Sequence, residues 1–169
     1  MMKAPMAQQS AGPDPTDRKE NGSKRHLLVD GRGVPWSLAV AGANRHDVSH
    51  LAAVLDAMRV EHPSPPTRRH KHLCADAGYT GAPALRVIEE HGCIPHVKGR
   101  GQEAVKLKRR SGKKARRWVV EVVRSWFNRR CKLLERYEKL DRSFLALNHL
   151  AASIIAFRKI KLGVNIIYG

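Results

Sequence analysis

Hydrophobic and polar positions in the first quarter of the chain follow the pattern of two β-strands. Residues 25–30 lead into the pair Asp30-Gly31, and residues 34–40 then alternate, with one face formed by Trp36, Leu38 and Val40. An Asp-Gly pair between two such runs is typical of a hairpin turn, so the pattern predicts two antiparallel strands. Residues 1–23 are rich in Pro, Gly, Ser, Asp and Asn, and we expect them to form a flexible lead segment.

Apolar residues recur at helical spacing in four later stretches. These stretches predict helices over about Leu51–Met58, Pro83–His91, Trp118–Tyr137 and Ser143–Arg158. Short apolar runs ending at Ala75 and Val97 flank the second helix and predict strands, and Gly92 is placed to end that helix. The order strand, helix, strand indicates a parallel crossover unit in an α/β fold.

Asp76 directly follows the first of these two strands, in the turn sequence Asp76-Ala-Gly-Tyr79. In open α/β sheets, ligands gather at the carboxyl ends of strands, because the loops diverge there and leave a crevice. Asp76 is therefore a candidate functional carboxylate. The alternative is that Asp76 only caps the following helix or forms an Asx turn, and the residue alone does not distinguish the two roles.

The charge balance of the chain indicates a class of partner. Lys and Arg total 32 against 15 Asp and Glu, which gives a net charge of +17. Such an excess favours a polyanionic partner, with nucleic acid as the first candidate and a ribosome-like or membrane-surface partner as the second. The aromatic content of 5% argues against proteins that stack single-stranded bases on aromatic platforms.

Length, cysteine content and hydropathy indicate a single-domain cytoplasmic protein. A chain of 169 residues with 42% hydrophobic content can bury one sizeable core. Cys74, Cys93 and Cys131 form no paired framework, which indicates a reducing compartment. The first 23 residues contain no signal-peptide core, and polar residues interrupt the apolar region 145–157, so we expect no membrane partner.

Residues 99–117 are the most basic part of the chain and join directly to the helix predicted from Trp118. Charge runs are usually solvated, but this junction favours an arm that is ordered, or becomes ordered on DNA. The polar face of this helix and the residues directly after it are also rich in arginine. These two segments supply the candidate DNA-binding residues Lys106, Lys108, Arg109, Arg110, Lys113, Lys114, Arg116, Arg124, Asn128, Arg129 and Arg130.

Glu121 is one acid among the cations of that stripe, with Arg117 four residues before it and Arg124 three residues after it. This spacing is typical of an exposed ion-pair ladder, in which each pair contributes roughly a few tenths of a kcal/mol. It equally fits a carboxylate that a basic helix holds beside phosphates. The position alone leaves both roles open.

Six motifs follow one another along the chain. They are Gly-Pro-x-Pro-Thr-Asp at 12–17, Gly22-Ser-Lys-Arg-His-Leu-Leu-Val-Asp-Gly31, Ala43-Asn-Arg-His-Asp47, Asp76-x-Gly-Tyr79, Arg117-Trp-Val-Val-Glu121 with Arg-Ser-Trp-Phe-Asn-Arg at 124–129, and Leu134-x-Arg-Tyr-Glu-Lys139. Each motif is weak alone. In register they resemble the insertion-sequence transposases of the DDE class, over nearly the whole chain from Met2 to Phe157.

The resemblance implies a ribonuclease-H-like fold, in which helices flank a mixed sheet over residues 24–160 and a tail covers residues 161–169. It also implies DNA cleavage at transposon ends and transfer of the strand to target DNA, with Mg²⁺ or Mn²⁺ bound by carboxylates. Asp76 matches the second acid of the family and Glu121 the third, so both are expected metal ligands and catalytic residues. Arg117 would contact DNA or orient Glu121. The implied partner is double-stranded DNA, bound by a homo-oligomer in the bacterial cytoplasm at the nucleoid.

The chain departs from the family pattern at the first acid. In the family this acid lies on the opening strand, in a segment that should end just before Met2-Lys-Ala-Pro, so we expect that the first strand is missing. The acids at 14, 17, 30 and 47 lie in other predicted segments and are not substitutes. We expect the chain alone to be inactive, either as the downstream half of a split transposase or as a truncated relic.

Two other functions compete with this interpretation. The residues His70, His72, Cys74, His91, Cys93 and His96 are possible zinc ligands, although the paired spacing of structural zinc sites is absent. A non-catalytic DNA-binding protein is the second alternative. Its contacts would go mostly to phosphates and would weaken steeply with salt.

Overall fold

The computed structural model describes residues 1–15, 19–58, 71–97 and 118–159. Two short strands, β1 (Met2–Lys3) and β2 (Gly12–Pro13), pair antiparallel with the first residues of β3 (Asn21–Val29). This differs from the flexible lead segment expected over residues 1–23. The side chains of Met2 and Ala4 are buried, and the Ala4 N–H donates to the Asn21 carbonyl at 2.8 Å. Hydrogen bonds to β3 thus satisfy backbone groups of the amino-terminal segment, whose composition alone suggests a coil.

β3 continues through a tight turn into β4 (Pro35–Gly42), and the two strands pair antiparallel. In the turn, Asp30 Oδ1 accepts hydrogen bonds from the N–H groups of Arg32 and Val34, both at 2.8 Å. Gly33 has a φ of +82°, a conformation that favours glycine. The predicted hairpin is confirmed.

A second sheet contains two parallel strands. After β4 the chain forms α1 (Leu51–Asp56), and the strands β5 (Lys71–Ala75) and β6 (Cys93–Val97) are then joined by α2 (Ala82–Glu90). Gly92, at a φ of +68°, follows the end of α2 as predicted. The crossover unit and the α/β class are confirmed. The described residues form two sheets instead of one mixed sheet.

Two helices near the carboxyl end, α3 (Trp118–Asn128) and α4 (Asp141–Lys159), complete the fold. Side chains from both helices form one apolar cluster against the larger sheet; its members are Met2, Val123, Phe127, Leu133, Phe144, Ala151 and Ile155. A second cluster joins α1 and α2 through Leu51, Leu55, Ala84 and Ile88. Full burial of a side chain such as Phe127 contributes about 1.5–3 kcal/mol, so the two clusters hold the elements together from opposite sides of β3.

The helix predicted from Trp118 to Tyr137 is shorter in the structure and ends at Asn128. A short 3₁₀ turn follows at Cys131–Leu133, and Leu134 and Tyr137 are exposed. The apolar residues over 133–137 therefore do not continue the helix. The physical reason is that this segment turns Arg136 toward the interior together with Leu133, whereas Leu134 and Tyr137 point outward.

Arg136 is completely buried and connects three parts of the chain. Its guanidinium donates to Asp141 Oδ1 at 2.7 Å, to Ser23 Oγ at 3.1 Å and to the Ser10 carbonyl at 3.3 Å. Its backbone N–H donates to the Lys3 carbonyl at 2.8 Å. Arg136 thus holds the amino-terminal segment, β3 and the start of α4 in one arrangement.

The substitution Arg136→Met should lower the free energy of unfolding by about 3 kcal/mol or more, because it leaves the Asp141 carboxylate without its buried partner. Equilibrium urea unfolding measures this difference. Arg142→Met removes an exposed arginine at the start of the same helix and should change the free energy much less. Equal effects of the two substitutions would show that Arg136 does not organise the fold.

Candidate functional site

A groove of about 780 Å³ runs between β3 and β5, and α1 and α3 form its other walls. Its lining combines apolar side chains of both clusters with charged groups. The groove is open to solvent and contains the two carboxylates that the sequence analysis singled out. We therefore describe it as the candidate site.

Asp76 and Glu121 both line this groove. Asp76 follows the last residue of β5 and caps a 3₁₀ turn over Ala77–Tyr79, where its Oδ1 accepts from the Ala77 N–H at 2.6 Å. Glu121 lies in the first turn of α3 and is exposed. Asp76 therefore caps the 3₁₀ turn, as the alternative role proposed. It also lies at the carboxyl end of β5 and lines the same groove as Glu121.

Basic and polar side chains line two walls of the groove. Arg124 and Asn128 extend the Glu121 side of α3 into the groove, and both are exposed. Lys24 on β3 forms an ion pair with Asp47 at 3.0 Å. The groove thus presents carboxylate oxygens together with positive charge, an arrangement that suits a phosphate backbone with a bound cation.

Arg25 is a buried cation behind the groove wall. Its Nη2 donates to the Leu133 carbonyl at 2.9 Å, and its guanidinium lies 4.8 Å from the centre of the Phe127 ring. Burial, with a smaller effect of Arg124, lowers the pKa of Arg25 to about 10. Within the described residues its Nε has no hydrogen-bond partner.

Two further titratable side chains line the groove. Burial lowers the pKa of His26 to about 4, and the ring of His26 stacks on that of His50 with centroids 5.2 Å apart. Burial also raises the pKa of Tyr79 to about 12. Both groups are therefore uncharged at neutral pH, so the fixed charges of the groove come from its carboxylates, lysine and arginines.

Only part of the predicted DNA-binding set lies within the described residues. Arg124 and Asn128 line the groove, whereas Arg129 and Arg130 follow α3 and are not part of the lining. The arm residues and the predicted arginine partner of Glu121 lie outside the described residues; these are Lys106, Lys108, Arg109, Arg110, Lys113, Lys114, Arg116 and Arg117.

The alternative zinc site receives no support from the described residues. His72 Nδ1 and His96 Nε2 lie 2.6 Å apart across β5 and β6, but His91 instead contacts Asp56 at 2.9 Å. Among the residues that the structure describes, no three His, Cys, Asp or Glu side chains are grouped to hold a metal ion. His70 lies outside those residues.

Comparison with known proteins decides the family. The family model described as "Transposase DDE domain" matches residues 73–158, just over half of the chain. This match spans Asp76 and Glu121. The chain belongs to the DDE transposase family.

A curated relative supports the same family. A protein of Burkholderia cepacia, named as a transposase for insertion sequence element IS402, is 33% identical over 136 residues, which cover 76% of this chain. The aligned region is 59% of the relative, so the chain spans less than two thirds of its length. No solved structure matches the chain at a significant level. No helix in the described part of the chain has the length and apolar character to cross a bilayer.

The structure adds groove residues that sequence analysis of this DDE transposase did not single out. Lys24, Arg25 and His26 come from β3, and Asp47 comes from the polar loop after β4. One signal was present in the sequence: three consecutive basic residues inside a predicted strand are unusual for a covered strand. Their position in the same groove as Asp76 depends on tertiary packing, which the periodicity of the sequence does not reveal.

We expect the stability of the protein to fall as the pH drops from about 6.5 toward 4, through His26. The folded protein protonates His26 only near its lowered pKa of about 4, whereas the unfolded chain binds this proton near 6.5. The stability contributed by the neutral ring is therefore complete above 6.5 and is lost toward 4. His26→Gln should reduce the difference between the thermal midpoints at pH 7 and pH 5.

His149→Gln provides the matched control, because His149 is an exposed histidine on α4. It should leave the difference between the two midpoints unchanged. If His26→Gln also leaves that difference unchanged, the lowered pKa of His26 does not govern acid stability.

Proposed function

We propose that this chain is the catalytic part of a transposase that cuts and joins DNA by metal-dependent phosphoryl transfer. The observation that carries the proposal is the position of Asp76 and Glu121, which line one groove and both fall within the family match. Arg124 and Asn128 lie on the same side of α3 as Glu121. The groove therefore combines hard oxygen ligands with groups that bind phosphate oxygens.

The donor set fits a hard divalent cation such as Mg²⁺ or Mn²⁺. Domains of this family generally use divalent metal ions, and Asp76 and Glu121 would hold them through carboxylate oxygens. A bound ion would supply charge stabilisation and a more acidic attacking water or hydroxyl at the scissile phosphate. Asp76 is oriented by its bond to the Ala77 N–H, and Glu121 is fixed by the first turn of α3.

The remaining groups of the groove position DNA. Arg124 lies one helical turn after Glu121 and can pair with a phosphate next to the scissile one. Asn128 lies one further turn along α3 and can contact the next phosphate of the same DNA strand. The arm over 106–117 and the arginines at 129 and 130 would extend this contact along double-stranded DNA of the transposon end or the target. We infer that the protein acts as a homo-oligomer on DNA at the bacterial nucleoid.

The groove carries two of the three family acids, so the chain alone should not cleave DNA. Within the ribonuclease-H-like fold that we propose, the third acid belongs to an opening strand. A split transposase would supply that strand from its upstream half. The chain alone should therefore bind DNA without cutting it.

The decisive test is cleavage of a labelled duplex that carries the end of the encoding insertion sequence, with Mg²⁺ or Mn²⁺. This chain should not cut, whereas a version extended upstream through the first acid should cut. In the extended version, Asp76→Asn or Glu121→Gln should lower the rate by about 10²–10³ or more, the cost of removing one preorganised electrostatic group.

Glu90→Gln is the matched control, since Glu90 is an exposed acid on α2 outside the groove. It should leave the rate unchanged. Cleavage that survives Asp76→Asn would remove this residue from the catalytic set.

A non-catalytic DNA-binding protein is the second candidate function, favoured by the net charge of +17 and the two-acid groove. It predicts binding without cleavage in both the short and the extended versions. Under either function the groove contacts phosphates, so the logarithm of the binding constant should fall linearly with the logarithm of the salt concentration.

We expect Arg124→Gln to reduce the magnitude of this salt slope by about 1, because one phosphate contact is lost. Fluorescence anisotropy of a labelled duplex, at several salt concentrations and without divalent ions, measures the slope. Arg86→Gln removes an exposed arginine of α2 that does not line the groove and should leave the slope unchanged. The opposite ranking of the two variants would place DNA on another surface.

A further inference from the structure

A loop over residues 43–50, the rim loop, connects β4 to α1 beside the candidate site. Asp47 of this loop lines the groove. The last four residues of the loop form a 3₁₀ turn, Asp47–His50, which packs against the 3₁₀ turn Ala77–Tyr79 that Asp76 caps. The rim loop therefore borders the Asp76 end of the groove, so DNA that reaches this carboxylate also meets the loop.

Hydrogen bonds hold the backbone of the rim loop. Lys24 Nζ donates to the Arg45 carbonyl at 2.9 Å and to Asp47 Oδ1 at 3.0 Å. Ser49 Oγ donates to the His46 carbonyl at 2.7 Å. The loop is thus fixed by one of its own side chains and by a lysine of β3, and side chains that recognise a ligand need such a fixed backbone.

Asn44 anchors the start of the rim loop, whereas the next side chain projects from it. A Cβ atom at Gly12 or Gly42 would overlap Asn44 Oδ1, so glycine at both positions leaves the space in which this carboxamide lies. The Arg45 side chain is exposed, and among the residues that the structure describes it has no hydrogen-bond or ion-pair partner. The loop thus presents an unpaired guanidinium on a fixed backbone.

Arg45 lines a second pocket, which has a volume of about 490 Å³. Polar side chains of the rim loop line it as well, namely Asn44, Ser49 and His50. The ring of His50 stacks on that of His26, with centroids 5.2 Å apart, and His26 lines the groove. A single pair of stacked rings therefore connects the wall of this pocket to the wall of the groove.

The chemistry of this pocket differs from that of the groove. Among the described residues that line it, Arg45 is the only Lys or Arg, and none is Asp or Glu. The Asn44 carboxamide can both donate and accept. A nucleobase edge also presents donors and acceptors side by side, whereas a phosphate only accepts. The volume lies within the range of about 300–1,000 Å³ for small-molecule sites, which suits one base and excludes a duplex.

We propose that this pocket receives one unpaired nucleobase of the DNA that lies in the groove, and that Arg45 holds this base. Its guanidinium can stack on the base or donate to its edge, two contacts that arginine makes with unstacked bases. The inference rests on the proposed function, because the groove must hold DNA. It adds a contact to a base beside a groove whose other contacts go to phosphates.

The base can come from two sources. It can belong to a single-stranded end of the DNA, or it can leave the stack of a duplex, which costs less free energy at a mismatched position. Both sources present the same chemical group to Arg45. A comparison of the two kinds of DNA therefore identifies the source.

Competition binding tests the proposal, with fluorescence anisotropy of a labelled duplex in the absence of divalent ions. The competitors are a fully paired duplex, a series of the same duplex with one base mismatched at successive positions, and the same duplex with a single-stranded end. The chain should bind at least one of the unpaired competitors about tenfold more tightly than the paired duplex, the effect expected for one stacked base. Equal affinity for all competitors overturns the proposal.

Two substitutions assign the preference to Arg45. Arg45→Gln should reduce the tenfold ratio to about one. Arg45→Lys keeps the charge but lacks the planar guanidinium, so it should bind the paired duplex as before and lose the preference. A preference that survives Arg45→Lys overturns the assignment, because a phosphate contact needs only the charge. Both variants should keep the thermal midpoint, since this side chain is exposed and without a partner in the described part of the chain.

Arg86→Gln is the matched control. Arg86 is an exposed arginine of α2 that lines neither the groove nor the second pocket. Its substitution should leave the tenfold preference unchanged. Loss of the preference in this variant as well would show that net charge, and not the pocket, selects the unpaired base, and would overturn the proposal.

The cleavage assay separates this inference from the proposed function. A chain extended upstream that cuts DNA, but has no preference for unpaired bases, would overturn the nucleobase pocket alone. An Arg45-dependent preference in a chain that does not cut after extension would support the pocket and overturn the catalytic role.

Discussion

The buried guanidinium of Arg136 is the constraint on which the arrangement of this molecule depends. A charge enclosed by protein is tolerated only when hydrogen bonds and an opposite charge meet it. Arg136 finds these partners on three separate segments, at Ser10, Ser23 and Asp141. Its backbone also holds the Lys3 carbonyl. The position of β1 on β3 therefore depends on the contacts of this one arginine.

The groove between β3 and β5 follows from the same packing. β3 is covered by α3 on one face and by α1 on the other, and the groove lies between these two layers. Asp76 reaches the groove because a parallel crossover places the end of β5 there. Glu121 reaches it from the first turn of α3. Asp76 and Glu121, which are 45 residues apart in the sequence, thus line one groove because of the way the strands and helices pack.

Local chemistry predicted much of the fold. The Asp30-Gly31 pair marked the hairpin because the Asp30 side chain accepts hydrogen bonds from backbone N–H groups of the turn. Gly92 marked a helix end because it has a positive φ, which few other residues adopt. The strands of two residues near the amino terminus carry no periodicity, so composition suggested a flexible lead instead. The helix predicted through Tyr137 was wrong because the apolar spacing continues beyond Asn128, although Leu134 and Tyr137 are exposed there and Arg136 is buried. Asp76 and Glu121 were identified from motifs, but their shared groove could not be derived from spacing, since it requires the packing of α3 on β3.

In the proposed function, binding and cleavage of DNA depend on different groups of the groove. Phosphate contacts would come from Arg124 and its basic neighbours, whose charge does not depend on the number of acids in the groove. Cleavage would need divalent ions held by carboxylates, and Asp76 and Glu121 both line the groove. Loss of one of these carboxylates should therefore abolish cleavage and leave the salt-dependent binding of duplex DNA in place.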